Sequence, residues 1–541
     1  SSDVCSSDLH LFDRLFGDLW IGQHPTEAHN TYLVLHLNFS TFSGTFEGYK
    51  ERMDDYCSGV FEQFVCDYAD LLPDNAMEVL RKAVGAANQL AALARLCDRA
   101  GQSIYLFIDE YDHFTNIILS SPDTEAAYKA ETHGTGAYRG FFNAIKAGAV
   151  TSIKRLFITG VSPVTMDDLT SGFNIGTNYT RQPEFNAMVG FTETEVRQML
   201  DYYRQYYTFR HTTDELIELM RPWYDNYCFS DRCLDEPPMY NSDMVLYFVY
   251  FYTKDNGQLP ESMLDVNIRT DYNKLRMLIR KDRGFSHDAS VIQHIVETGG
   301  ITALLKDSFP SEGITDPDNF VSLLYYFGML TIAGRNGLRG IPFRIPNQVV
   351  REQIYGYLTA AYRENDLSME EQQRNMLLVN MATDGDWRPF FENMSAVLKR
   401  FAAQRDRQKG EAFVHGFTLS QTCMGRFYLP VSELDTGVRT TIDGVAVGGY
   451  ADIYLQPMLG IYPDIEHSYV LELKYLHASA TDTELQQARE QATGQLLRYA
   501  ESVAVERTIG HTRLHRLILV WRGMDLAVAE ELGSARLLND K

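Results

Sequence analysis

Three short apolar runs, separated by long stretches of helical pattern, restrict the fold of this chain more than any other feature. They lie at residues 31–38 (TYLVLHLN), 103–108 and 155–159 and consist largely of β-branched, aliphatic and aromatic residues. Runs without polar alternation indicate strands that are buried on both faces. Because helices separate them, the sequence predicts an α/β fold, with a parallel sheet covered by helices on both faces.

The rest of the chain is too long to share one hydrophobic core, since 541 residues predict roughly three or four units. Helical patterns follow from Thr192, which is expected to form a capping box with Glu195. The glycine-rich residues 328–345 predict a hairpin within a winged-helix-like region. The predicted boundaries are 1–9 for a non-native remnant, 10–191 for the core around the parallel sheet, 192–362 for the helical and winged-helix-like region, 363–408 for a charged helical connector and 409–541 for a second α/β domain.

Two predicted strands of the last domain place three ionisable side chains in a pattern that suits metal-ion chemistry. Residues 449–456 and 469–475 predict neighbouring strands, and the period of two puts Glu472 and Lys474 on one face. Asp452 is able to face the same side. The carboxylates would bind one or two Mg²⁺ or Mn²⁺ ions, while Lys474 would orient the attacking water and stabilise the phosphorane charge. The alternative is an edge strand with an exposed Glu–Lys pair, which is common.

Acidic residues directly follow the second apolar run. Residues 104–112 (IYLFIDEYD) place Asp109 and Glu110 at the carboxyl end of a strand, where nucleotide chemistry occurs in open parallel sheets. In such a site Asp109 would hold magnesium, and Glu110 would orient and deprotonate the attacking water. The alternative is a strand that simply ends in solvated acids.

Three motifs that follow this strand give the chain a family resemblance. They are residues 159–174 (TGVSPVTMDDLTSGFN), 190–196 (GFTETEV) and 223–230 (WYDNYCFS). In this order they resemble the AAA-ATPase-like family, which has a P-loop-type parallel sheet. The resemblance implies a bacterial protein that uses ATP, and a polar sensor role for Thr159 beside the γ-phosphate.

The last domain resembles the PD-(D/E)XK nuclease superfamily, in which a D…E-x-K pattern precedes a helix carrying Gln and Tyr four residues apart. Asp452, Glu472 and Lys474 match that pattern, and Gln495 and Tyr499 lie on the predicted helix that follows. The resemblance implies a restriction-endonuclease-like α/β domain, with catalytic roles for Gln495 and Tyr499.

The same resemblance implies a first acidic residue before these strands. Glu411, within residues 410–417 (GEAFVHGF), is the candidate, and Glu433 is the second choice. The competing interpretation of Glu411 is a solvated acid at the start of a helix. His415, one turn further on, is interpreted as structural. The superfamily's Gly-Arg-x-Asp strand differs here, because Tyr450 stands in place of the arginine.

The phosphate-binding loop with which the AAA-ATPase-like family begins is missing from this sequence. No Gly-Lys-Ser or Gly-Lys-Thr occurs in it. The amides and lysine of that loop hold the β- and γ-phosphates, so this chain is expected to bind ATP poorly. Residues 1–9 contain SSD twice and lack apolar periodicity, which indicates a cloning or assembly remnant and a missing native start. ATP is therefore expected only in the full-length protein.

The net charge of −23 argues against a protein that coats nucleic acid by bulk electrostatics. The acidity is uneven, however, because from Phe401 onward 14 Lys and Arg residues stand against 18 Asp and Glu residues. The last domain is therefore able to contact phosphate locally. Seven scattered cysteines, and no apolar run approaching about 18 residues, predict a cytoplasmic protein without a membrane segment.

Together these features predict an ATPase-coupled, magnesium-dependent nuclease that cleaves phosphodiester bonds in nucleic acid, with DNA as the expected substrate. Oligomer formation is compatible with this interpretation. The alternative is a non-catalytic ATPase-like switch or interaction module, in which the nuclease fold serves as a scaffold or nucleic-acid binder.

Overall fold

The computed structural model forms two compact units. The first comprises Ser1–Tyr179, Asn273–Leu278 and Leu304–Gly328, and the second comprises Thr180–Tyr272, Ile279–Ala303 and Met329–Lys541. Residues 1–8 of the predicted remnant and residues 162–174 of the first family motif lie outside the described part of the chain. The structure describes residues 9–41, 48–113, 136–161, 176–260, 262–264, 291–310, 313, 316–364, 367–405, 410–435, 439–440, 446–447, 450–499 and 503–533.

The first unit contains the predicted parallel sheet. Its central strand pairs with one parallel neighbour on each side, and Asn38 lies opposite Asp109 at the carboxyl edge. Alternate residues such as Leu35 and Leu106 are buried on one face, as expected for strands with a period of two. The strands are β1 (Leu33–Asn38), β2 (Ile104–Asp109) and β3 (Ile153–Ile158).

Helices rich in alanine, leucine and phenylalanine pack against that buried face. Phe61 and Leu93 belong to their common core. On the opposite face, the rings of Tyr105 and Phe107 stack with centroids 4.3 Å apart. With Phe12, they line a cavity of about 830 Å³. The helices in this part of the chain are α1 (Leu9–Phe16), α2 (Trp20–Gln23), α3 (Tyr49–Asp67), α4 (Ala76–Lys82), α5 (Ala86–Arg99) and α6 (Ala137–Val150).

The second unit begins with helices whose starts are fixed by capping boxes. Thr192 and Thr212 each accept a hydrogen bond from the backbone N–H three residues on, and the first of these boxes confirms the prediction. Residues 328–345 contain the predicted hairpin, whose strands Thr331–Ile332 and Ile341–Arg344 belong to an antiparallel sheet. The elements are β4 (Gly190–Phe191), α7 (Glu193–Arg204), α8 (Thr213–Tyr224), β5 (Tyr240–Asn241), α9 (Ser242–Lys254), α10 (Val291–Thr298), β6 (Gly300–Ala303), α11 (Pro317–Tyr326, in the first unit), β7 (Thr331–Ile332), β8 (Ile341–Arg344) and α12 (Gln348–Glu364).

The C-terminal part of the second unit contains the strands β9 (Tyr428–Asp435), β10 (Arg439–Thr440), β11 (Ala446–Val447), β12 (Tyr450–Pro457), β13 (His467–Leu476), β14 (Arg513–Arg522) and β15 (Asp525–Glu531). Five of these strands form a mixed sheet of order β15-β14-β13-β12-β9. β13 and β14 are parallel, and the other neighbouring pairs are antiparallel. The predicted strands at 449–456 and 469–475 are confirmed. Neither edge strand of the sheet, β9 or β15, was predicted.

Helices cover both faces of this sheet. Val470 packs with Ala492 and Leu496 of the helix after β13. Tyr469 points to the other face, where its hydroxyl donates to the Met381 carbonyl at 2.7 Å. The helices are α13 (Glu371–Asp384), α14 (Arg388–Arg405), α15 (Glu411–Cys423), α16 (Asp482–Tyr499) and α17 (Val503–Thr508). In the described part of the chain, no helix combines the length and the apolar composition needed to cross a membrane.

Candidate metal centre

Three ionisable side chains come together because β12 and β13 are antiparallel neighbours. The ladder pairs Ile453 with Leu471. Continuing that register by one residue brings Asp452 opposite Glu472. Alternation along β13 then places Lys474 on the same face as Glu472, which is the face that α16 covers.

The ammonium group of Lys474 lies between the two carboxylates. Its Nζ donates to Glu472 Oε1 at 2.7 Å and lies 4.0 Å from Asp452 Oδ2. Those two oxygens are therefore separated by no more than the sum of these distances, which is within the roughly 8 Å that a shared one- or two-metal site allows. Asp452 Oδ2 also accepts the backbone N–H of Leu473 at 2.7 Å. The structure thus brings Asp452, Glu472 and Lys474 into one cluster.

Burial makes this cluster electrostatically demanding. The Glu472 side chain is 0% exposed, and those of Lys474 and Asp452 are 17% and 29% exposed. A carboxylate taken out of water destabilises the fold unless a cation and hydrogen bonds compensate it. Burial raises the pKa of the Asp452 carboxyl, while the Lys474 charge, the Leu473 N–H and the nearby His415 act in the opposite direction. The edge-strand alternative required an exposed Glu–Lys pair, whereas Glu472 is fully buried.

His415 of α15 contacts the same cluster through the backbone. Its Nε2 lies 3.1 Å from the carbonyl oxygen of Asp452, so the tautomer with hydrogen on Nε2 donates to that oxygen. The sequence alone predicts a structural role for His415. The only signal for a contact with the site was its position one turn after Glu411, and that spacing does not reveal which strand the helix approaches.

Gln495 lies on α16, beside the residues that pack this helix onto the sheet. It is half-buried, and its Oε1 is shielded from solvent with no hydrogen-bond partner among the described residues. The side chains of Tyr499, Glu411 and Glu433 lie outside the described residues, although their backbones belong to α16, α15 and β9. The choice between Glu411 and Glu433 as the first acid stays a prediction.

The donor set suits a hard divalent cation. Carboxylate oxygens are the ligands that Mg²⁺ prefers, and Mg²⁺ is commonly held by one or two carboxylates together with waters and substrate phosphates. Asp452 and Glu472 supply two such groups. Among the residues that the structure describes, no group of three or more His, Cys, Asp or Glu side chains could hold a metal ion. Asp452 and Glu472 are the two carboxylates that would hold Mg²⁺ or Mn²⁺.

The carboxyl edge of the parallel sheet in the first unit brings together the other predicted residues. Asp109 Oδ1 accepts from Thr159 Oγ1 at 2.6 Å and from the Glu110 backbone N–H at 3.0 Å. Glu110 has a φ of 55°, in the left-handed region that non-glycine residues seldom adopt. Asp112, which sequence reasoning did not select, is buried and accepts the Val161 N–H at 3.1 Å. The predicted sensor threonine is thus hydrogen-bonded to the first acid of this edge.

Comparison with known families finds a match for each of the two parts of the chain that contain these residues. Residues 6–170 match a family described as Predicted AAA-ATPase, and residues 421–531 match the PD-(D/E)XK nuclease superfamily. The chain has an AAA-ATPase-like domain and a PD-(D/E)XK nuclease superfamily domain. The second match contains Asp452, Glu472, Lys474 and Gln495. No curated protein and no solved structure matches the chain.

Asp109 and Thr159 are the predicted nucleotide-binding residues that the structure describes in the AAA-ATPase-like domain. Asp109 and Thr159 are hydrogen-bonded to each other, and the sequence contains no Gly-Lys-Ser or Gly-Lys-Thr to hold phosphates. In the PD-(D/E)XK nuclease superfamily domain, Asp452, Glu472 and Lys474 lie in one cluster.

Proposed function

We propose that this chain is a metal-dependent nuclease that hydrolyses phosphodiester bonds in nucleic acid. The observation that supports this most is the cluster of Asp452, Glu472 and Lys474, in which a fully buried carboxylate lies 2.7 Å from a lysine ammonium. Buried charges are expensive in a fold, and such clusters are concentrated at functional sites. Asp452 and Glu472 would hold Mg²⁺ or Mn²⁺, which supplies Lewis-acid activation of water and of the phosphate when bound.

The chain's own residues contribute positioning and charge. The Leu473 N–H fixes the Asp452 carboxylate at 2.7 Å, and His415 fixes the backbone of the same residue at 3.1 Å. Lys474 would stabilise the negative charge that develops on the phosphate during attack, and would orient the water. Gln495, whose Oε1 is without a partner among the described residues, would orient the water or Lys474 from the helix side.

In the alternative function, the AAA-ATPase-like domain is not catalytic. Because the sequence offers no phosphate-binding loop, this domain would act as a switch or interaction module, with the nuclease fold as a scaffold or nucleic-acid binder. ATP coupling would belong to a protein that possesses such a loop. A cytoplasmic location is supported by the described cysteines, all of which are free thiols.

Cleavage assays on supercoiled plasmid and single-stranded DNA, with Mg²⁺ or Mn²⁺, test the proposal. Asp452→Ala and Lys474→Ala are each expected to lower cleavage by about 100-fold or more, the usual loss when a group that stabilises the transition state is removed. Lys399→Ala is the matched control, because Lys399 also forms an ion pair, at 2.6 Å with Asp525, but is exposed. Wild-type protein that cleaves with neither metal would favour the scaffold alternative.

A further inference from the structure

One segment of the second unit contrasts with the acidity of the chain. Residues 329–351 contain four arginines and no lysine, aspartate or glutamate, in a protein of net charge −23. Two of the arginines, Arg335 and Arg339, lie between β7 and β8. The residues 333–340 that connect these strands are called the basic hairpin below. Concentrated positive charge of this kind is the electrostatic signature of a phosphate-binding surface.

The basic hairpin is a defined structure fixed to the core. Ile332 and Phe343 at its base are buried, and the Ala333 N–H donates to the Pro342 carbonyl at 2.8 Å. Gly337 and Gly340 exchange backbone hydrogen bonds of 3.0 and 3.1 Å, closing a two-residue turn.

The φ of 107° at Gly340 requires glycine, since a side chain would be strained there. The turn residues Leu338 and Arg339 are therefore held out at the tip by a preorganised backbone. Preorganisation of this kind lowers the entropy lost when the tip binds a partner.

Leu338 is the most exposed large apolar side chain among the described residues, at 107% of its reference area. An apolar side chain at the tip of a rigid turn, flanked by arginines, matches a known way of binding duplex DNA. In that mode, arginines contact the backbone or the minor groove, and an apolar side chain contacts sugars and base edges or wedges between base steps. No aromatic residue occurs in 333–340, so the stacking platform typical of single-strand binding is missing from the basic hairpin.

From this juxtaposition we infer that the basic hairpin is a duplex-DNA contact of the second unit, with Arg335 and Arg339 on phosphates and Leu338 in the groove between them. The inference rests on the proposed nuclease function and names its substrate class. An anionic membrane surface is the competing partner. It is disfavoured because a single leucine buries far less apolar area than the apolar face by which amphipathic segments bind membranes.

The ion pair of Arg335 with Asp235 makes the inference more specific. Its atoms are 2.9 Å apart, but the two side chains are 76% and 85% exposed. Exposed pairs of this kind contribute little, so a DNA phosphate is able to replace Asp235 as the partner of Arg335. Removing Asp235 should therefore strengthen DNA binding, because it deletes both a competitor for Arg335 and a negative charge near the phosphates.

The test measures binding of the full chain to a fluorescein-labelled DNA duplex by anisotropy, in EDTA, between 50 and 200 mM salt. Arg339→Ala and Arg335→Ala are each expected to reduce the salt slope by about one and the affinity roughly fivefold near 0.15 M salt, the effect of one released counterion. Leu338→Ala should weaken binding without changing that slope. Asp235→Ala should tighten it.

Arg363→Ala is the matched control, because Arg363 is an exposed arginine of the same unit that also pairs with an acid, Glu371, at 3.6 Å. It should leave binding unchanged. Thermal unfolding of every variant checks that these exposed positions do not alter the fold.

Several outcomes overturn the inference: hairpin variants that bind like wild type, an equal loss in Arg363→Ala, a preference for single strands, binding to vesicles of anionic lipid in place of DNA, or a wild-type chain that does not bind duplex at all. The proposed function is judged separately, by cleavage in Mg²⁺. Hairpin-dependent binding without cleavage would support the inference and reject the nuclease. Cleavage that is insensitive to the hairpin variants would support the proposed nuclease function and reject the inference about the basic hairpin.

Discussion

Replacing Lys474 by methionine removes the ammonium that neutralises a buried carboxylate while it keeps most of the side-chain stem. Glu472 is 0% exposed and lies 2.7 Å from Lys474 Nζ. Breaking a buried ion pair by deleting one member typically destabilises a fold by about 3–5 kcal/mol. The Lys474 side chain is 17% exposed, so water is able to reach the site. The expected loss of stability is therefore near the lower end of that range, about 3 kcal/mol.

Native-state hydrogen exchange of the peptide that covers His467–Leu476 measures this loss, because it reports the free energy of local opening of β13 without requiring two-state unfolding of the whole chain. Glu472→Gln/Lys474→Met should recover most of the loss, since it replaces both charges. The exposed ion pair of Lys399 gives the control, and Lys399→Met should change the opening free energy by less than about 1 kcal/mol. A loss below about 1 kcal/mol in Lys474→Met, or a double variant no more stable than Lys474→Met, would refute the reasoning.

Three further predictions follow from individual contacts. His415→Ala should lower cleavage about tenfold with little change in melting temperature, because it removes the hydrogen bond to the Asp452 carbonyl. Steady-state kinetics measure this loss, and His415→Gln should recover part of the rate. Burial lowers the pKa of His515, so the folded state binds fewer protons than the unfolded state just below about pH 6.5. The free energy of unfolding should then fall between pH 7 and 5.5 in urea titrations, and less so in His515→Gln. Cleavage by Glu411→Ala and Glu433→Ala decides which residue is the first acid, since only one of them should lose activity.

Alternation along a strand made part of the site predictable. Glu472 and Lys474 are two residues apart, so any β-structure in this segment places them on one face. The position of Asp452 was less determined by sequence, because it depends on the register between two strands. That register follows from pairing Ile453 with Leu471, and a slip of one residue would have turned the carboxylate to the opposite face.

The edge strands of the same sheet were missed for a physical reason. β9 begins YLPV and contains Pro430, which is tolerated there because, among the described strands, β9 has a hydrogen-bonded neighbour on one side only. β15, with the sequence DLAVAEE, lies at the other edge. Strands at an edge need not be continuously apolar, so they lack the signal that marked β12 and β13. The contact of His415 with β12 was equally hidden, because it depends on how a helix packs and not on a local pattern.

The net charge of −23 limits where nucleic acid is able to bind, without opposing binding itself. Electrostatic interactions at a surface are screened over about 8–10 Å at physiological salt, so a bound phosphate responds mainly to nearby charges. The chain before Phe401 has 35 basic and 54 acidic residues, yet all the charged residues within 329–351 are arginines. Acidic surface elsewhere would repel the DNA backbone, and the basic hairpin would attract it. The excess of acidic residues that excludes bulk coating of DNA therefore favours docking at one defined segment. Neutralising Arg335 and Arg339 should lower the affinity for DNA by more than their share of the 49 basic residues suggests.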